Sequence, residues 1–121
     1  MKENNLIQDK SYQFAIKIVN ECRALMEEKR EYILSKQLVR SGTSVGANIE
    51  EAIGGQSDKD FFAKLTISYK EARESKYWIR LLRDTAYINA PKATELLNDA
   101  EELLRIIGSI QKTLRAKLAN S

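Results

Sequence analysis

A single proline, Pro91, stands in a chain of 121 residues, and that scarcity constrains the fold more than any other feature. Proline inside a helix removes a backbone donor and clashes with the preceding turn. Almost every other segment is therefore free to run as a long helix. The apolar residues agree, recurring at steps of three and four rather than alternating.

Four helical runs are expected. The first covers about 9–29, with Tyr12, Ala15, Val19, Cys22 and Met26 on its inner seam and Phe14, Ile18 and Leu25 forming a second stripe beside it. A break is placed in "EEKREY", because one helix continuing to Gly55 would be unusually long for a small domain. The second run covers 32–54, with Leu34, Leu38, Ser41, Val45, Ile49 and Ala52 inward. Gly54-Gly55 ends it, since glycine readily takes a left-handed cap conformation. The third spans 58–86, opened by the Ser57 hydroxyl and by Asp60 at the positive helix end. Its seam is Phe61, Leu65, Ser68, Ala72, Ser75, Ile79, Leu82 and Ala86. Asn89 and Pro91 start the fourth, over 91–118, with Leu96, Ala100, Leu103, Ile107, Ile110 and Leu114 inward. Four long helices joined by short turns give an all-α, antiparallel, up-down-up-down bundle, a single domain over 1–121.

Composition excludes several kinds of chemistry. Cys22 is the only cysteine and histidine is absent, so an internal disulfide, a Cys/His metal site and a Ser-His or Cys-His nucleophile pair are all impossible within one chain. Neither metal, cofactor nor small-molecule substrate is expected, and the chain reads as a non-enzyme. The opening "MKENNLIQDK" lacks an apolar core, and no uncharged run is long enough to span a bilayer. The expected location is the cytoplasm, away from membranes. The net charge of +3 is too small to argue for nucleic acid by itself, because local clustering of cations is what counts.

"SGTSVGANIEEAIGG" (41–55) concentrates poor helix formers inside the second run. A phosphate-binding loop would need a preceding strand and a terminal Lys-Ser/Thr pair, and both are missing. Glu50 or Glu51, with Asn48 one turn away, would serve an enzyme only within a pocket. Small side chains that let helices approach closely explain the stretch better. Asn48 and Glu51 would then be buried polar groups, with Arg73 and Tyr77 of the third helix or a neighbouring subunit as partners.

"SGTSVGANIEEA", "SDKDFFAKL" and "KEARESKYWIRLL" together resemble a bacterial four-helix-bundle family named for proteins encoded in intervening sequences of large-subunit ribosomal RNA genes. The likeness runs from about Asp9 to Leu118. Gly46, Glu50 and Ala52 depart from its commonest pattern, which has Pro, Ala and Gly there. The resemblance implies a homopentameric ring of bundles and no enzymatic activity. A related branch holds the accessory protein of diversity-generating retroelements, a basic pentamer that binds reverse transcriptase and RNA. Asn48 and Glu51 carry over as structural positions only.

Cations supply the candidate site. Lys76, Arg80 and Arg83 are spaced to share one face of the third helix, with Arg73 a turn earlier and Tyr77 or Trp78 available for stacking. Lys36 and Arg40 lie one turn apart on the second helix. Lys112, Arg115 and Lys117 suit the negative end of the fourth helix and need no ligand. The second stripe on the first helix, with Leu97 and Leu104 on the fourth, argues for self-association, which would concentrate a modest charge; a wider core stripe within one bundle is the competing explanation. The function expected is an oligomeric, non-enzymatic scaffold or adaptor that binds structured RNA or an RNA-handling protein. The alternative is a protein–protein interaction module without nucleic acid.

Overall fold

The computed structural model describes residues 2–120; the two end residues of the expected domain lie outside that range. It contains four helices: α1 (Lys2–Lys29), α2 (Ile33–Ile53), α3 (Asp58–Asp84) and α4 (Ala90–Ala119). No strand occurs among the described residues. Each helix packs on its two neighbours around a square, α1 on α2 and α4, and α3 on α2 and α4. That is the four-helix bundle the spacing predicts.

The inner faces of α2 and α4 are those expected, except that Leu34 is half-buried and packs at the edge of the core. Leu38, Ser41, Val45, Ile49 and Ala52 are buried on α2, and Leu96, Ala100, Leu103, Ile107, Ile110 and Leu114 on α4. On α1 the second stripe is the one that enters the core, and of the expected inner seam only Cys22 is fully buried. Phe14, Ile18 and Leu25 join Ile7, Ser11 and Cys22 in the core, while Tyr12 is 63% exposed. Both stripes satisfy the helical period; the shape of the opposing helix decides between them. Gly42 leaves a hollow on α2 in which an added Cβ would stand 2.8 Å from Ile18 Cγ2, so Ile18 is drawn inward. Leu104 is buried too, and Leu97 packs against the core. These residues therefore supply no surplus apolar surface, and the case for self-association built on them falls.

Small residues likewise close the α2–α3 seam. Ser75 Oγ donates to Ser41 Oγ at 2.9 Å, and Ser68 Oγ donates to the Val45 carbonyl at 2.8 Å. The run of poor helix formers in "SGTSVGAN" thus serves close packing on two sides of α2.

The ends differ from expectation in instructive ways. α1 begins at Lys2 instead of Asp9, because its first turns extend the Ile7 face. Ser57 caps α3 through the Asp60 N–H at 3.1 Å, and Asn89 caps α4 through the Lys92 N–H at 2.9 Å. Gly54 closes α2 at φ −81°, so no left-handed glycine ends that helix. The left-handed residues are Arg30 (φ 53°) and Ala86 (φ 67°), in the other two turns. α3 consequently stops at Asp84, and Ala86 is exposed rather than on the seam.

Candidate nucleic-acid interface on the α3–α4 face

The cations of α3 divide according to the helix they face. Lys76 reaches α4 and forms an ion pair with Glu101. Glu101 is held below the ordinary glutamate value first by this hydrogen bond, then by the charge of Lys76, with Arg105 and Arg73 contributing. Cations of both helices thus act on one carboxylate, which only Lys76 contacts among the described residues. Arg73 and Arg80 lie three before and four after Lys76, a spacing that keeps all three on one side of α3. Further along the seam Gln111 donates to Thr66 Oγ1 at 2.8 Å, and the Arg115 guanidinium sits 5.4 Å from the centre of the Phe62 ring. Lys112 stands beside them on α4. Arg73, Arg80, Arg105 and Lys112 are exposed, and none has an ion pair among the described residues.

The other expected cations are placed elsewhere. Arg40 faces the opposite flank of α3, paired with Glu71 at 3.0 Å and also with Glu74. Glu74 is held low first by the Trp78 indole N–H, at 2.9 Å, and then by Arg40. Arg40 and Trp78 are therefore engaged in joining α2 to α3. Lys36 is exposed on α2, away from the α3–α4 seam. Arg83 pairs with Asp84 at 2.8 Å near the α3–α4 turn. The structure brings Arg73, Lys76 and Arg80 together, leaves Lys36 and Arg40 apart, and sets Arg83 at the end of the stripe. Tyr77 is 54% exposed, with the Trp78 ring edge-on at 4.9 Å.

Arg105, Lys112 and Arg115 belong to this face, although Lys112 and Arg115 suggested only a dipole-matched helix end and nothing in the spacing singled out Arg105. The overlooked signal was Gly108, a mid-helix glycine between cations.

Asn48 and Glu51 form no buried polar pair. Asn48 Nδ2 donates to the Ser44 carbonyl of its own helix at 2.8 Å, and exposed Glu51 pairs with Lys64 at 3.2 Å. Neither uses Arg73 or Tyr77, because both α2 residues lie toward the flank of α3 opposite the cation stripe. Glu50 accepts from Gln8 Nε2 at 3.0 Å on the exposed α1–α2 edge. Among the described residues, no group of three or more Cys, Asp or Glu side chains is placed to hold a metal ion. No described helix is long and apolar enough to cross a membrane. Burial pushes the Cys22 thiol up to about 12, so it stays protonated and unreactive at neutral pH.

The sequence model for 23S rRNA-intervening sequence proteins matches residues 3–109. A solved structure from Bacteroides thetaiotaomicron, a protein of unknown function from the S23 ribosomal protein family, superposes with a TM-score of 0.89. It is 45% identical, and the match covers 91% of this chain and 98% of that one. No curated protein matches the chain.

Proposed function

The chain belongs to the 23S rRNA-intervening sequence protein family, and from that premise we propose that it is a non-enzymatic scaffold or adaptor whose α3–α4 face holds structured RNA or an RNA-handling protein. The observation that carries this reading is the set of exposed cations without ion pairs among the described residues, Arg73, Arg80, Arg105 and Lys112, on the two helices joined by the Lys76–Glu101 pair. Cations already paired with carboxylates have less to gain from phosphate than these four. The free, buried thiol of Cys22 accords with work in a reducing cytoplasm.

Assembly into a pentamer is part of the proposal. Its support is the resemblance of the sequence to a ring-forming family, together with the exposed Tyr12 and Ile16 on α1.

The test is filter binding of a labelled RNA hairpin across a salt series, with Arg73, Arg80 and Arg105 changed together to Gln. Wild type is expected to bind with salt-dependent affinity. The triple variant is expected to bind at least tenfold more weakly, with a salt slope shallower by about 2 to 3, at 0.7–0.9 per lost phosphate contact. Equal retention of RNA by the two proteins overturns the reading.

One observation favours a protein–protein module instead. Tyr12, Ala15, Thr43, Gly46 and Ala47 line a mostly apolar hollow of about 280 Å³ between α1 and α2. Absence of RNA binding by wild type would favour it.

A further inference from the structure

Gly108 sits in the middle of α4 with no packing reason to be glycine. A Cβ added there meets nothing within 4 Å, whereas one at Gly42 meets Ile18. An interior glycine weakens a helix relative to alanine, so the missing side chain is unexplained by the fold of the monomer.

Its surroundings suggest the reason. Glu101 and Arg115 lie seven residues to either side, on the same line of α4. They cross to Lys76 and Phe62 of α3 respectively. The helices are antiparallel, so midway between these crossings Gly108 comes level with half-buried Tyr69. Arg105 and Lys112, one turn to either side of Gly108 on α4, are exposed and without ion pairs among the described residues. The result is a gap in the wall of the seam, floored by helix backbone and bordered by positive charge.

We propose that Gly108 is the point where the sugar–phosphate backbone of a bound RNA strand approaches the protein most closely, the absent side chain leaving room for it between Arg105 and Lys112. Polyanionic backbone fits because the border is cationic and the floor has no side chain. This rests on the RNA reading of the α3–α4 face, and deepens it by separating shape from charge.

The test compares wild type with Gly108→Ala and Gly108→Gln, using a fluorescein-labelled RNA hairpin for binding, thermal melts for folding and sedimentation for assembly. Both variants are expected to melt a few degrees higher, since each replaces glycine with a better helix former in open space. Gly108→Gln is expected to bind about tenfold more weakly with the salt slope of wild type, because it blocks the gap without removing a charge. Gly108→Ala should fall between. Wild-type binding with an unchanged affinity for the Gln variant overturns the gap and leaves the RNA reading standing. No binding by wild type overturns the RNA reading, and this inference with it. Loss of assembly by the Gln variant also overturns the inference, because the gap would then belong to a subunit contact.

Discussion

Glu31 shows how one residue sets a helix end that no turn motif announced. Tyr32 occupies the cap position of α2 but makes no side-chain cap bond. The carboxylate of Glu31 takes over, accepting from the N–H groups of Ser35 at 2.8 Å, Leu34 at 3.2 Å and Ile33 at 3.3 Å, and from Ser35 Oγ at 3.0 Å. Burial pushes this carboxyl up, but the hydrogen bonds from Ser35, Leu34 and Ile33 outweigh it and hold the group below the ordinary glutamate value. A group lowered on folding stabilises fully above its unfolded value, and that stabilisation is lost as pH falls through the lowered folded value. Glu31→Ala should therefore cost about 1–2 kcal/mol at neutral pH, the scale of a lost cap. The gap from wild type should narrow in acid. Urea melts at both pH values check it, and a gap that stays constant would refute the role assigned to the carboxylate.

At the scale of elements, what was legible depended on how the signal is encoded. The Ser57 and Asn89 caps could be read because a short polar side chain before an apolar run has one main local use. The seams of α2, α3 and α4 could be read because each carries one dominant stripe. α1 carries two, and the choice belongs to Gly42 on another helix, where local periodicity cannot see it. The turns were harder still. Arg30 and Ala86 adopt left-handed backbone that their side chains disfavour, so neither marks a turn by its identity. Ala86 is held there because the N–H groups of Tyr87 and Ile88 both return to the Leu82 carbonyl, at 2.8 and 3.2 Å. Alanine pays a steric penalty in this region that glycine avoids. Ala86→Gly should stabilise the bundle by about 1 kcal/mol, less whatever the freer unfolded chain takes back. A thermal melt shifted downward would argue against strain in this turn. The cation stripe was half legible: spacing along α3 grouped Lys76, Arg80 and Arg83 with Arg73 a turn earlier, but the engagement of Arg83 by Asp84, the contribution of α4 and the diversion of Arg40 to Glu71 and Glu74 arise only in the folded chain.

For the whole molecule, the distribution of charge matters more than its sum. Across α1 and α4, Lys10 pairs with Glu102 at 3.1 Å, and Lys17 pairs with Glu95 at 3.1 Å and Asp99 at 2.9 Å. Exposed pairs of this kind contribute little stability, but they set two lysines against three carboxylates on that side, whereas Arg73, Arg80, Arg105 and Lys112 stand without ion pairs among the described residues on the α3–α4 side. If copies assemble in a ring, these cations repeat around an axis and their fields add. Native mass spectrometry is expected to give a five-subunit mass, and a monomer at micromolar concentration would refute the pentamer. The hollow at Gly42 has a consequence of another kind. With Ile18 seated in it, α1 and α2 are keyed like a tooth in a notch, so neither can creep along its neighbour by a fraction of a turn. Any slippage of α1 must first lift the whole helix clear, which makes its attachment a latch, closed or open, rather than a sliding joint.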